Sequence, residues 1–279
     1  MVEAPPTYRE RQAAIAAKST GPDGVPCAIE YQPEEHETWA RMQAQLAPLW
    51  EQFAAPPLIG ARRALDLPTT HIPQLSLVSQ RLAPLTGFRY ASVPGTVSGH
   101  DFFGALANRV FSSTQFIRWS GNIDYTPEPD VVHEVGGHAI SLADPRLAEL
   151  HRLAGLASIA APDQLPAIAA VFWYSVEFGV LASPHGWKAY GAGLLSSPGE
   201  LAWFNDHARV VPLDIDAMIT TPYDISRYQP TLFGADSLDE VFDTVGDFYR
   251  DIISADNSTS HTSTSHLDER KRHVTPQEG

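Results

Sequence analysis

Two histidines lie five positions apart in the stretch PDVVHEVGGH, which covers residues 129–138. His133 and His138 enclose a glutamate, Glu134, and two glycines. Imidazole nitrogens and carboxylate oxygens are common ligands of protein-bound metal ions. The stretch differs by one inserted residue from the H-E-x-x-H signature of zinc proteases. It is therefore a candidate metal site, although the spacing argues against the protease layout.

A regular α-helix would not direct both histidines toward one ion. Each residue turns the helix by about 100°, so residues five apart lie ~140° from each other around the axis. The two side chains can converge if His133 lies in the first turn of a helix, and Pro127 and Pro129 favour a helix start there. Gly136 and Gly137 add no side-chain bulk and allow the backbone to deviate.

A third ligand is suggested by Glu177, the one charged residue in the apolar run VFWYSVEFGV. A buried carboxylate is costly unless it is paired or bound to a cation. Two histidines and one carboxylate form the facial triad of non-haem iron(II) oxygenases, which leaves coordination positions open. Two alternatives stay open at this point. The same ligand types would suit a zinc hydrolase, and Glu177 could instead pair with an arginine or lysine.

Composition limits the classes of function. The chain has 279 residues, 43% of them apolar, and a formal net charge of -14. This charge argues against binding to nucleic acids or anionic membranes. The single cysteine, Cys27, excludes an intramolecular disulfide and a cysteine-based metal cluster, which fits a cytoplasmic location. Polar residues interrupt the most apolar region, at 153–183, so we expect a buried core there and no membrane span.

The periodicity of apolar residues predicts a mainly α fold with a small β element. We expect a single catalytic domain over residues 31–255, preceded by an N-terminal arm at 1–30 and followed by a disordered tail at 256–279. Ser237 and Glu240 are spaced as a capping box before another helix. The remaining predicted elements are helices at 37–54, 147–160 and 165–182, and strands at 88–93 and 209–214.

Three longer motifs resemble the pterin-dependent aromatic amino acid hydroxylases. They are YTPEPDVVHEVGGH (125–138), FWYSVEFGV (172–180) and KAYGAGLLSSPGEL (188–201). The resemblance extends over roughly residues 8 to 253, and it is closest to the compact bacterial phenylalanine hydroxylases. It implies a basket-like helical domain that acts as a monomer on a small aromatic amino acid. It also implies Fe(II), tetrahydrobiopterin or a related tetrahydropterin, and O2 as co-substrate.

The resemblance assigns roles residue by residue. The implied iron ligands are His133, His138 and Glu177, the set that the residue types also suggest. Glu134 is implied as a catalytic neighbour of the iron and the pterin that is not itself a ligand. The positions implied to bind substrate are Arg118, Thr126, Asp130, Trp173, Gly193 and Ser196, where Arg118 holds the carboxylate and Asp130 orients Arg118. The positions implied to bind the pterin are Gly95, Val97, Phe102, Glu134 and Phe172.

Two departures from the family pattern stand out. Phe172 replaces a tyrosine of the animal enzymes, and the centre of HEVGGH is slimmer than the bulkier residues usual in the family. Trp173 and the apolar Ile225 favour an unsubstituted ring, so we expect hydroxylation of L-phenylalanine to tyrosine. Alternatives are hydroxylation of tryptophan, meta-hydroxylation of phenylalanine, a zinc-dependent hydrolase, and an inactive homologue that only binds its ligand.

Overall fold

The computed structural model of the chain describes residues 4–18, 25–121, 123, 126 and 128–270, with side chains up to residue 256. Long helices enclose two small sheets. The helices before the metal-ligand region are α1 (Pro6–Lys18), α2 (Pro33–Phe53), α3 (Pro56–Leu65), α4 (Leu75–Thr86) and α5 (Gly99–Ala107). The helices after it are α8 (Pro145–Ala160), α9 (Leu165–Phe172), α10 (Ala192–Leu195), α11 (Pro198–His207), α12 (Ile215–Thr220) and α13 (Leu238–Arg270).

The metal-ligand region itself is one helical stretch of three parts. It comprises α6 (Val131–His133), a π-helical turn (Glu134–Ala139) and α7 (Ile140–Ala143). A second π-helical turn, Trp173–Glu177, continues α9. Single π turns inside α-helices are often found at functional sites. Each of the two turns here ends close to a predicted ligand.

Strands occupy two sheets. β1 (Arg89–Ser92) pairs in parallel with β2 (Val110–Ser113). The second sheet has the order β4-β3-β6-β5, in which only β3 and β4 are antiparallel neighbours. Its strands are β3 (Val180–Ser183), β4 (Gly186–Ala189), β5 (Arg209–Pro212) and β6 (Thr231–Ala235). β3 follows the second π turn after two residues, so this sheet anchors the end of the segment that carries Glu177.

Helix α8 lies at the centre of the core, between α5 and α13. Asp144 caps its N-terminus by accepting the backbone N–H groups of Arg146 and Leu147, and Pro145 occupies the first turn. Apolar side chains recur at three- and four-residue spacing along it, and Leu147, Leu150 and Ala154 are fully buried. A packed α8 gives a rigid support for the neighbouring metal-ligand helix.

Most predicted elements are present, with shifted ends. The helix predicted at 37–54 is α2, with Pro48 inside it, and the strands predicted at 88–93 and 209–214 are β1 and β5. The helix predicted at 165–182 is wrong beyond Glu177, because the chain then enters β3. None of the helices in the described part of the chain is both long and apolar enough to cross a bilayer.

Helices form both the N-terminal arm and the C-terminal end of the described chain. In the N-terminal arm, Ile15 is buried and the Tyr8 hydroxyl donates to the carbonyl of Ile117 at 2.9 Å. At the other end, the backbone of α13 is helical to Arg270. The disordered tail from residue 256 stays a prediction. No glycine or proline interrupts the chain between Gly246 and Pro276, so no residue of this stretch forces the helix to end. Residues 271–279 lie outside the described part.

Candidate metal centre and substrate cavity

The helix that carries both histidines begins with a cap. Asp130 precedes α6, and its Oδ1 accepts the backbone N–H of His133 at 3.2 Å. His133 therefore lies in the first helical turn, as predicted. The π turn that follows has a wider repeat than an α-helix. It accommodates the extra residue between the histidines, and the two rings end 4.8 Å apart between centroids.

Gly137 is required by a close approach of the chain. A Cβ atom at this position would lie 2.5 Å from the carbonyl oxygen of Ala192 in α10. Such a distance is well inside van der Waals contact, so any side chain would force the two helices apart. Gly136 differs, because the nearest atoms to a Cβ there lie 3.9 and 4.0 Å away, on Val132 and Gln43.

Glu177, the predicted third ligand, lies beside both histidines. Its Oε1 lies 2.9 Å from Nε2 of His138, and its Oε2 lies 3.8 Å from Nε2 of His133. The second π turn places the carboxylate opposite the first, although 39 residues separate Glu177 from His138 in the chain. The His138 side chain is buried, whereas those of Glu177 and His133 are 12% and 20% exposed.

A third histidine, His151, fixes the tautomer of His138. Nδ1 of His151 lies 2.7 Å from the carbonyl oxygen of Leu147, which can only accept, so this nitrogen carries the proton. In the neutral ring Nε2 of His151 is then an acceptor, and it lies 3.5 Å from Nδ1 of His138. The proton of His138 therefore belongs on Nδ1, which leaves the Nε2 lone pair directed at Glu177.

Ser196 plays the matching part for the other ligand. Its hydroxyl donates to the carbonyl of Gly193 at 3.2 Å and lies 2.9 Å from Nδ1 of His133. When the Ser196 hydroxyl donates its proton to the Gly193 carbonyl, its oxygen accepts the Nδ1 proton of His133. Nε2 of His133 then keeps its lone pair. Both imidazoles thus present an unprotonated nitrogen to the same carboxylate.

The electrostatics of this face favour a cation. Burial lowers the pKa of His133 to about 4 and the pKa of His138 to about 3, so both rings are neutral at pH 7. Burial also raises the pKa of Glu177. Two lone pairs and a buried carboxylate that converge within 4 Å repel one another unless a cation lies between them. The donor set suits Fe(II) or Zn2+ equally in its atom types.

Glu134 is a second carboxylate beside the same histidines. Ligand atoms of His133, Glu134 and His138 lie within 4.8 Å of one another, so geometry alone permits either glutamate as a ligand. The Glu134 carboxylate accepts the backbone N–H of Thr114, and burial, together with the charge of Glu177, raises its pKa well above the ordinary value. Glu177 has an oxygen close to each histidine Nε2, so it is a candidate third ligand as well.

Arg118 is held as a rigid fork beside the metal face. Its Nη2 and Nε donate to the two oxygens of Asp130 at 2.7 and 3.0 Å, and its Nη1 donates to the carbonyl of Ile123 at 3.1 Å. Both charged side chains are at least 97% buried. Arg118 has five side-chain N–H groups, and three of them make these hydrogen bonds. Among the residues that the structure describes, none accepts the other two.

A cavity of about 300 Å³ joins the metal face to the arginine. Trp173 forms one wall, and its ring stacks on Tyr223 at 4.6 Å between centroids. Seven of the nine positions predicted as metal ligands or substrate contacts line it; these seven are His133, Glu177, Arg118, Thr126, Trp173, Gly193 and Ser196. Asp130 lies behind Arg118, and His138 lies deeper in the core.

The positions predicted to bind pterin separate into two groups. Phe102 and Phe172 meet edge to face at 6.1 Å in an aromatic cluster that reaches His138 through Phe111. Gly95 lines a second cavity, which adjoins the first through Thr96, Glu128 and Pro129. Val97 is half-buried in the loop between Gly95 and α5.

Two residues of the site are missed by the sequence analysis. His151 is one of them, although its position at i+4 from Leu147 on the apolar side of α8 marks it as an unusual buried polar residue. Glu200 is the other, and it lines the cavity with 3% of its surface exposed. Burial raises the pKa of Glu200 to about 7, and its Oε1 accepts the backbone N–H of Gln229 at 2.6 Å.

Several phenylalanine hydroxylases are similar to this chain in sequence. The chain is 43% identical over 246 residues to phenylalanine 3-hydroxylase from Streptomyces coeruleorubidus, a match that covers 87% of the chain and 88% of that enzyme. It is 37% identical over 254 residues to phenylalanine-4-hydroxylase from Bos taurus, covering 87% of the chain. The chain spans 56% of the length of that animal enzyme.

Solved structures show the same fold. A phenylalanine hydroxylase from Chromobacterium violaceum, bound to iron(III) and the oxidised cofactor 7,8-dihydrobiopterin, matches with a TM-score of 0.78 and 29% identity, over 89% of this chain and 92% of that one. A cobalt-bound structure of the C. violaceum enzyme matches with the same TM-score and 30% identity, over 90% and 94% of the two chains. The family model described as biopterin-dependent aromatic amino acid hydroxylase matches residues 4–269, and the chain belongs to this family.

Proposed function

We propose that this protein is an iron(II)- and tetrahydropterin-dependent monooxygenase that hydroxylates the ring of free L-phenylalanine. The observation that carries the proposal is the position of Arg118 and Trp173 around the cavity that opens onto His133 and Glu177. An anion-binding fork and an indole wall in one cavity with a metal-ligand face suit a small aromatic amino acid.

The substrate carboxylate is bound by Arg118 in this proposal. Asp130 fixes the plane of the guanidinium through two hydrogen bonds, so its two remaining N–H groups present a preformed fork to a carboxylate. A fork held in this way loses little side-chain entropy on binding. The aromatic ring of the substrate then lies against Trp173, whose orientation is fixed by Tyr223 and Phe178.

Iron would be held by His133, His138 and Glu177, with Ser196 and His151 orienting the two imidazoles. The tetrahydropterin would lie in the cavity near Gly95 and Val97, beside the aromatic cluster of Phe102 and Phe172. When bound, iron and tetrahydropterin supply the activation of O2. Glu134 is buried between the metal face and the Thr114 backbone, where it can hold a proton close to both groups.

The apolar lining argues for an unsubstituted ring. Ile225 lines the cavity and offers no partner to a phenol hydroxyl, and an unpaired buried hydroxyl costs binding energy. The comparisons also change the ring position that we expect. Identity is 43% to the phenylalanine 3-hydroxylase but 37–39% to the phenylalanine-4-hydroxylases of cattle and Caenorhabditis elegans. We therefore propose 3-hydroxyphenylalanine as the product, with tyrosine as the second candidate.

A zinc hydrolase built on His133, Glu134 and His138 is disfavoured by membership of the hydroxylase family. We further propose that the protein acts as a monomer, as its resemblance to the compact bacterial hydroxylases implies. We place it in the cytoplasm because its single cysteine suits a reducing compartment. Size-exclusion chromatography with light scattering tests the monomer.

Turnover tests the proposed reaction. Purified protein with Fe(II), a tetrahydropterin and O2 is incubated with L-phenylalanine, and the products are separated by chromatography against authentic 2-, 3- and 4-hydroxyphenylalanine. We expect 3-hydroxyphenylalanine as the main product. Tyrosine as the main product would support the reaction and refute the ring position. Full occupancy by zinc, with no iron-dependent O2 consumption, would refute the hydroxylase.

A further inference from the structure

A second cleft lies on the other side of the metal-ligand helix. It has a volume of about 300 Å³, which is sufficient for a small molecule. Its apolar walls are Trp39 and Trp50 of α2 and Val135 and Ile140 of the metal-ligand stretch. None of these four residues lines the substrate cavity.

Gly136 opens this cleft. A Cβ there would meet no atom closer than 3.9 Å, and one of the nearest is the amide nitrogen of Gln43. The neighbouring Gly137 is needed for packing against Ala192, but no contact of the described residues demands a glycine at 136. The residues usual in the family at the centre of this motif are bulkier. The missing side chain at position 136 leaves free space beside Gln43.

Two polar side chains line the cleft without a hydrogen-bond or ion-pair partner in the described part of the chain. The Arg62 guanidinium lies 4.5 Å above the Trp50 ring, while the nearby acidic residues are paired elsewhere, Glu51 with Arg63 and Asp66 with Arg81. Arg62 is half-buried, and partial removal of its charge from water lowers its pKa.

Gln43 is 93% buried, and no residue in the described part of the chain hydrogen-bonds its side-chain amide. Buried amides and poorly solvated guanidinium groups are costly when they are unpaired. The cleft is also lined by a second cation, Arg63, and by one carboxylate, Asp66, so a small anion beside Arg62 would meet net positive charge.

We propose that the cleft is a second small-molecule site for a monocarboxylate with a flat apolar body. Arg62 would bind the carboxylate, since a guanidinium matches both of its oxygens. The indole rings of Trp39 and Trp50 would cover the apolar part, and Gln43 would hydrogen-bond a polar edge. A cleft of this size favours a free small molecule over a side chain from another protein. A ligand here would lie against Val135 and Gly136, within the π turn between the two histidine ligands.

Binding of 4-fluorobenzoate tests the site. Its 19F signal is followed while iron-loaded full-length protein is added, for wild type and four variants. Arg62→Gln removes the anion partner, and Gly136→Leu fills the cleft. Arg41→Gln is the matched control, because it removes the same charge from an exposed position of α2 that does not line the cleft. Arg118→Gln reports any binding of the probe in the substrate cavity.

We expect saturable binding that weakens about tenfold or more in Arg62→Gln, as for loss of a charged hydrogen-bond pair. Gly136→Leu should abolish it while circular dichroism and iron content show a folded, loaded protein. If Gly136→Leu does not fold, Arg62→Gln against Arg41→Gln decides alone. The proposal is overturned by absence of saturable binding, by equal weakening in Arg62→Gln and Arg41→Gln, or by loss of binding in Arg118→Gln only. The catalytic proposal does not depend on this result.

Discussion

The contact between His151 and His138 predicts how the metal centre responds to His151→Phe. The His151 ring lies in an aromatic enclosure, with ring centroids of Phe88, Phe111 and Phe172 between 5.2 and 6.4 Å away. A phenyl ring can therefore replace the imidazole with little change in packing. It removes the acceptor for the Nδ1 proton of His138 and the donor to the Leu147 carbonyl.

Loss of the His151 acceptor should weaken metal binding for two reasons. Loss of a residue that orients a metal ligand typically weakens metal binding by about 10–100-fold, or ~1.4–2.7 kcal/mol. An unsatisfied buried donor costs about 1–3 kcal/mol. The Nδ1–Nε2 distance of 3.5 Å is at the long end for a hydrogen bond. We therefore expect a loss of about tenfold, at the lower end of both ranges.

The assay is competition of the protein with a metal chelator for Co2+, together with the visible spectrum of the bound cobalt. We expect a tenfold weaker Kd and a shifted spectrum in His151→Phe, with partial recovery in His151→Gln, which restores an acceptor. Phe88→Leu is the control, because it disturbs the packing around His151 and leaves its hydrogen bonds in place. An unchanged Kd in His151→Phe, or the same change in Phe88→Leu, would refute the role of His151.

Three further predictions follow from individual contacts. Arg118→Lys should raise the KM for L-phenylalanine by about 10–100-fold through loss of a bidentate contact worth ~1.5–3 kcal/mol; an unchanged KM would show that Arg118 does not bind the carboxylate. Glu200→Gln should flatten the pH dependence of the unfolding free energy between about pH 4.5 and 7, the ordinary and the folded-state pKa. In this window the folded state keeps a proton that the unfolded state releases, so wild type loses up to about 3 kcal/mol as the pH rises; denaturant titrations at several pH values that give parallel curves would contradict this. Gly137→Ala should destabilise the fold by about 1–3 kcal/mol, because the new Cβ would overlap the Ala192 carbonyl. Gly136→Ala should instead stabilise the fold by up to ~1 kcal/mol. Thermal melts in which Gly136→Ala is the less stable variant would refute this account of the two glycines.

Residue types and local spacing predict much of the metal centre. His133 follows two prolines that favour a helix start. Glu177 is a lone charge in an apolar run. The consequence of the five-residue histidine spacing could not be predicted in the same way. It depends on two π turns, which have no periodic signature in a sequence and are stabilised by neighbouring helices.

Contacts between distant elements explain the other differences. His151 reaches His138 only because α8 packs beside the metal-ligand helix, and no local pattern reports that packing. The segment after Glu177 is as apolar as the buried helix α9 before it. It nevertheless forms β3, because it pairs with β4 and β6. A short apolar run suits a buried strand or a buried helix equally well, so its partners decide.

The identity of the third ligand is tested most directly by the iron content of two matched variants. Glu177→Ala and Glu134→Ala each remove one buried carboxylate beside the same histidines. After reconstitution with Fe(II) and desalting, we expect wild type and Glu134→Ala to retain stoichiometric iron and Glu177→Ala to lose it, with all three folded by circular dichroism. Full iron retention in Glu177→Ala together with loss in Glu134→Ala would contradict the metal centre proposed for this protein.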